Sequence, residues 1–263
     1  PIASAGQEAH GGVIAYDSHE LATEEYAELP EWVKFQKPVV ESIERKFIDR
    51  ARVITSVSPG IVQDLQCRYA PDAACLTLRN APHYAASTFR PAGETIRVLY
   101  HGLVTHGRGL EAMIDSLPDW RAEFSLTVRG PSSPPDYIDT LKARAERNGV
   151  LSRITFAPPV PTADLVATAR AYDIGVMVLP GHSLPAELAL PHQIFEYLMA
   201  GLALVVTRDI SDRRLLEEDP RARGATRSCR SLWRCCRSPP CRKPRASCAP
   251  RTRTTPCGWS GAG

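Results

Sequence analysis

Residues 190–206, Leu-Pro-His-Gln-Ile-Phe-Glu-Tyr-Leu-Met-Ala-Gly-Leu-Ala-Leu-Val-Val, confine the chain to a narrow class of folds. Ile194, Phe195, Leu198 and Met199 recur at helical spacing and predict a helix with an apolar face. Pro191 suits its first turn, where a missing N–H leaves no bond unmade. Gly201 suits its stop, because glycine takes the left-handed conformation past a helix end. Leu204, Val205 and Val206 then predict a short buried strand. One carboxylate, Glu196, interrupts this apolar helix, and burying a carboxylate is costly unless something hydrogen-bonds it. The free backbone N–H groups near His192 and Gln193 would make an anion site. A helix offering N–H groups to phosphate and a carboxylate to a sugar diol suits a nucleotide-sugar. An ordinary helix with Glu196 on its exposed edge fits the same pattern.

The alternation of short apolar strands and helices runs along the chain and predicts an α/β fold with parallel sheets. Val13 to Tyr16 predicts a strand ending in the polar turn Asp17-Ser18-His19-Glu20. A helix is expected over about 39–50, with Val40, Ile43, Phe47 and Ile48 on one side. A strand follows at Arg52 to Thr55, then a helix capped by Ser58 and opened by Pro59. Cys75 to Leu78 is the next strand, and residues 87–95 read as a linker. A second unit starts at Ile96. Its strands are expected at Val98 to Tyr100, Leu126 to Val128, Ile154 to Phe156, Ile174 to Val178 and 203–207. Helices are expected at 110–117, 136–148, 163–171 under a Thr162 cap, and 192–200. Ligands in such sheets sit beyond the carboxyl ends of the strands.

Several polar residues fall at those ends. His19 follows the first strand and is placed to accept or hold a hydroxyl proton; a solvated turn reads equally from the residues. Gly102, Gly107, Arg108 and Gly109 form a glycine-rich turn entering a helix, which favours phosphate, although such turns are common. His101 ends a strand and lines the expected cleft or serves the core. His182 lies in a loop after Pro180-Gly181 that would face a bound sugar. Lys46, Arg50 and Arg52 read as a solvated basic face. No metal-ligand constellation stands out.

Composition breaks near residue 220. Residues 221–263 hold eleven Lys or Arg, no Asp or Glu, and six of the eight cysteines. The chain carries a formal +3 and this tail +11, which leaves −8 on residues 1–220. The tail has no apolar periodicity, so it buries too little surface to offset its ordering entropy, and it is expected to be disordered. Its cysteines form no Cys-x-x-Cys pair and it has no His, against a zinc module. A nucleic-acid arm is electrostatically feasible; an out-of-frame translation of a GC-rich gene yields the same mixture. Two cysteines in the body fit a reducing cytoplasm, and no apolar run reaches the roughly 18 residues of a membrane span.

Pro191-x-x-x-Phe195-Glu196-Tyr197-x-x-Ala200-Gly201 followed by an apolar strand resembles the donor-site helix of bacterial family 4 glycosyltransferases, which have the GT-B fold. The resemblance runs from about Val13 to about Asp219. It includes Tyr16-Asp17-x-His19-Glu20-Leu21, and a glycine after a strand (Gly102) followed by Arg108-Gly109-Leu110. It implies two Rossmann-like doubly wound domains, both incomplete here. Residues 1–86 would be the second half of an acceptor-side domain and 96–219 a donor domain, with 220–263 the disordered tail. It implies retaining transfer of a sugar from a nucleotide diphosphate sugar to an acceptor hydroxyl, with no cofactor and no nucleic-acid partner. A glycan or lipid-linked acceptor is implied, as is a cytoplasmic location with peripheral contact to the inner membrane face. In the family, the residue matching Glu196 holds the ribose hydroxyls, the helix start around Pro191, His192 and Gln193 holds the diphosphate, and Arg108 pairs with it. His19 faces the acceptor and the transferred sugar. The chain departs from the pattern at four places. Leu103 stands where a second basic residue is frequent, and Gln193 where a subgroup has Lys. Ala203 replaces a usual proline. A second glutamate is expected at Leu188, one residue beyond Glu187. These departures keep two further readings open, a non-catalytic nucleotide-binding remnant and a GT-B sugar-nucleotide epimerase. The chain is expected to be a fragment at both ends, impaired in turnover.

Overall fold

The computed structural model describes residues 2–86, 90–178, 184–188 and 190–206, leaving aside the side chains of residues 186 and 187. The expectations for His182, for the Glu187 side chain, for most of the linker's start and for the whole tail lie outside the described residues.

The first unit contains α1 (Ile2–His10), β1 (Ile14–Ser18), a π-helical turn (Trp32–Gln36), α2 (Lys37–Phe47), β2 (Ala51–Ser56), α3 (Pro59–Tyr69) and β3 (Ala74–Thr77). Its three strands are parallel in the order β1-β2-β3. Leu21, Ile48, Ile54, Ile61 and Leu65 make the core. Ser58 caps α3: its Oγ accepts the Ile61 N–H at 3.2 Å, and Pro59 occupies the first helical position. The expected helix at 39–50 begins earlier, at Lys37, and its apolar side is not simply buried. Ile43 is 42% exposed, whereas Glu44 is 8% exposed. The Tyr16 and Tyr69 hydroxyls each donate to Glu44 at 2.5 Å, which is why a carboxylate can sit inside the helix face. The helix α1 was not foreseen, because Gly6 and the surrounding Ala and Ser residues carry no clear apolar period.

The second unit contains β4 (Ile96–His101), α4 (Leu110–Ser116), β5 (Phe124–Arg129), α5 (Tyr137–Arg147), β6 (Ile154–Ala157), α6 (Leu165–Ala169), β7 (Ile174–Met177), α7 (Leu184–Leu188), α8 (His192–Ala200) and β8 (Ala203–Val206). All five strands are parallel, in the order β6-β5-β4-β7-β8. Along β4, Val98 and Tyr100 join one core with Leu110, Ile114, Leu126 and Leu141, while Leu99 joins another with Val166, Ile194 and Tyr197. Alternate residues of one strand thus serve two cores, the signature of a sheet covered on both faces. The chain winds outward from β4 to β6, then crosses back to β7 and β8. Strand order therefore reverses between β4 and β7, and the crevice beyond their carboxyl ends is the natural ligand position.

Two local expectations are corrected. Thr162 does not cap a helix; it lies inside a 3₁₀ turn, Thr162–Asp164, whose preceding residue Pro161 supplies no side-chain cap. Pro191 is the N-cap residue of α8 rather than its first turn, with extended backbone (φ −62°, ψ 133°). Its ring sets that φ before the helix begins. The short α7 was not expected from the sequence. It rests against the start of α3, where the Ser58 hydroxyl donates to the Leu188 carbonyl. Among the described residues, no helix is long and apolar enough to cross a membrane.

Candidate functional site

The reversal between β4 and β7 gathers most of the donor-side residues. β4 ends at His101, and Gly102 begins the turn that leads through Arg108 and Gly109 into α4. Gly109 is the N-cap of α4 in the left-handed region (φ 68°). A Cβ there would stand 2.6 Å from Val178 Cγ1 and 2.7 Å from the Val178 carbonyl oxygen. Only glycine lets this turn press against the end of β7. The start of α8 closes on the same place: the Gln193 amide nitrogen lies 2.9 Å from where a Cβ on Gly102 would sit. The structure thus brings Gly102, Gly109, Pro191, His192 and Gln193 around one crevice.

Arg108 is half-buried on this turn and makes no hydrogen bond or ion pair to any described residue. Its charge reaches the neighbouring Tyr100. Burial pushes the Tyr100 phenol up to about 12, and Arg108 pulls it partly back. The Tyr100 hydroxyl donates to the Leu103 carbonyl at 2.8 Å and braces the turn. An unpaired guanidinium beside free helix N–H groups is suited to a diphosphate.

Glu196 lies below, one turn inside α8, and is 5% exposed. Its Oε2 approaches His101 Nε2 at 2.7 Å, off the axis of an ideal hydrogen bond, and neither atom has another hydrogen-bond partner among the described residues. Its Oε1 lies 3.9 Å from Nε2 of His192, whose ring is half exposed. His101 is itself held. Its backbone N–H donates to the Tyr197 hydroxyl at 2.9 Å, and its ring stacks on the Tyr197 ring at 4.6 Å between centroids. Its Nδ1 faces Arg129, at the end of β5, at 3.3 Å. Burial raises the Tyr197 phenol far above its ordinary range, so its hydroxyl keeps its proton.

His19 sits elsewhere. It follows β1 on the first unit, is exposed, and its Nε2 lies 3.4 Å from the Asn80 side-chain amide. Glu187 belongs to α7, whose backbone is described and whose Glu187 side chain is not. Among the described residues no group of three or more His, Cys, Asp or Glu is close enough to hold a metal ion. Sequence reasoning missed Arg129. Its one signal was a charge directly after the apolar run Leu126-Thr127-Val128, at a strand's carboxyl end.

These two parallel units, the second doubly wound, have the GT-B architecture of glycosyltransferases. Solved structures carry the likeness. HepE of Anabaena, in a complex with UDP and glucose, superposes with a TM-score of 0.61 at 14% identity, over 81% of this chain and 58% of that one. WaaG, a glycosyltransferase involved in lipopolysaccharide biosynthesis, gives 0.59 at 16% identity, over 82% and 65%. Sucrose-phosphate synthase of Thermosynechococcus elongatus gives 0.60 at 13%, over 88% and 61%. The chain spans about three fifths of the length of these proteins. No protein-family profile matches the sequence, and no curated protein matches it either.

Proposed function

We propose that this chain binds a nucleotide diphosphate sugar at the β4/β7 crevice and belongs to the chemistry of retaining glycosyl transfer to an acceptor hydroxyl. The observation that carries the reading is the convergence of the Gly102–Gly109 turn, the start of α8 and the Glu196 carboxylate at the place where strand order reverses. In this reading Arg108 and the N–H groups around His192 and Gln193 take the diphosphate, and Glu196 takes the ribose hydroxyls. As the anomeric carbon leaves the diphosphate oxygen, Arg108 and the helix dipole stabilise the growing negative charge. His19 holds the acceptor hydroxyl, of a glycan or lipid-linked acceptor at the inner membrane face.

A narrower reading, nucleotide binding without efficient turnover, is favoured by Leu103 and Gln193, neutral side chains where many members of the resembled family, and a subgroup of it, carry a cation. Calorimetry with UDP, GDP and ADP and their sugars tests the binding. Arg108→Ala is expected to weaken the diphosphates more than the nucleosides, and Glu196→Gln to weaken both by about 1.5–3 kcal/mol, the size of a hydrogen bond to a charged group. Unchanged affinity in both variants counts against the site. Sugar transfer or donor hydrolysis that His19→Ala abolishes would favour the full enzyme over the narrower reading.

A further inference from the structure

Arg129, His101 and Glu196 form a buried row beneath the crevice, with Arg129 5%, His101 2% and Glu196 5% exposed. The Arg129 guanidinium donates to Thr168 Oγ1 at 3.0 Å, faces His101 Nδ1 at 3.3 Å and stands 5.9 Å from the Tyr172 ring centroid. No ion pair joins Arg129 to a carboxylate among the described residues. A guanidinium carries donors only, so His101 Nδ1 has to present its lone pair. The proton of the neutral imidazole then sits on Nε2, which faces Glu196 Oε2 at 2.7 Å. The Tyr197 stack and the backbone bond to the Tyr197 hydroxyl hold the ring in that plane.

From this geometry we infer that His101 is a positioning residue for Glu196, with Arg129 selecting its tautomer. The 2.7 Å approach of Nε2 keeps Oε2 turned inward and leaves Oε1, 3.9 Å from His192 Nε2, for a hydroxyl pair. Arg129 thus faces the inner nitrogen of the His101 ring and not the Glu196 carboxylate, so it does not compete for the outer oxygen. The inference rests on the reading of Glu196 as the ribose acceptor and adds two residues outside ligand contact to it.

Two measurements on the full chain test it. Imidazole ¹⁵N–¹H spectra, with His101 assigned by its loss in His101→Gln, are expected to show Nε2 protonated and Nδ1 bare, and Arg129→Met to mix the tautomers. Protonation of Nδ1, alone or with Nε2, at neutral pH overturns the inference without any variant needing to bind. The second measurement compares UDP, GDP or ADP with the 2′,3′-dideoxy form of the same nucleotide. The wild type is expected to prefer the ribose form at least about tenfold, the ratio one well-placed charged hydrogen bond supplies. His101→Asn, which has no donor at the Nε2 position, should reduce that preference to less than threefold while the dideoxy form binds as before. His101→Gln, whose amide nitrogen reaches the Nε2 position, should restore it. Equal weakening of both nucleotides in His101→Asn would show a merely structural role. Loss of the preference in Glu196→Gln with retention in His101→Asn overturns the positioning role alone. Retention in Glu196→Gln overturns the ribose reading, and absence of binding in the wild type overturns both.

Discussion

Glu44 and its two tyrosines make the pH behaviour of the first unit a property of single side chains. Burial first, and then the Glu44 carboxylate, raise the Tyr16 and Tyr69 phenols well above the ordinary 10.0. In the unfolded chain they ionise near 10.0, while in the folded chain they keep their protons. The unfolded state therefore binds fewer protons in alkali, so this contribution to stability is complete below pH 10 and drains as pH rises beyond it. Tyr100 and Tyr197 act in the same direction. We expect the tyrosinate absorbance of Tyr16 and Tyr69, read as the difference between the chain and its Tyr16→Phe/Tyr69→Phe variant, to appear together with loss of circular dichroism in an alkaline titration. Gradual tyrosinate formation with intact dichroism would contradict the assignment. The sequence placed Glu44 in a helix but not its partners, since Tyr16 and Tyr69 come from a strand and another helix.

At the scale of elements, β7 and α8 approach each other closely. A Cβ on Gly175 would stand 2.3–2.6 Å from three carbons of the Tyr197 ring, and Tyr197 is 0% exposed. The ring cannot retreat without leaving His101, on which it stacks. Gly175→Ala is expected to destabilise the chain by about 1–3 kcal/mol, the usual cost of overpacking, and to disturb the His101 ring signals as well. Chemical denaturation read against Gly60→Ala measures the difference; there the near neighbour is the flexible Leu188 side chain, with Cδ2 2.9 Å away. An equal cost at both positions would argue that Tyr197 is not pinned. Periodicity placed α8 and β7 well. It said nothing of the distance between them, because a glycine in a strand shows only that some close approach exists.

At the scale of the molecule, separate cores imply separable stability. One cluster, around Ile54, Ile61 and Leu65, belongs to the first unit, and two, around Leu126 and Tyr197, to the second. The described contacts between the units are few, chiefly α7 on α3 and the backbone after β3, where Arg170 donates to the Ala86 carbonyl at 2.7 Å. Trp32 reports on the first unit and Trp120 on the second. Variants that retain one of them, with every other Trp changed to Phe, are expected to melt at different temperatures. A nucleoside diphosphate at a hundredfold excess over its Kd should stabilise the Trp120 transition by about 2.7 kcal/mol and move the Trp32 transition less. Coincident transitions that shift together would mean the units unfold as one.

Hydrophobic spacing along the chain was enough to determine the order of the strands in both units, most of the helices between them, the glycine-rich turn at 102–109 and the helix carrying Glu196, but neither α1 nor α7. Those features depend on neighbours within a few residues, and local periodicity records them. Which polar groups meet was decided only in the tertiary structure. His101, Arg129 and Glu196 lie on β4, β5 and α8, the first two 28 positions apart in sequence. Parallel strands join through crossovers, so their carboxyl ends converge whatever the spacing between them in sequence. The Glu196 carboxylate is buried because those ends supply an imidazole and, behind it, a cation, and no reading of its own helix contained either.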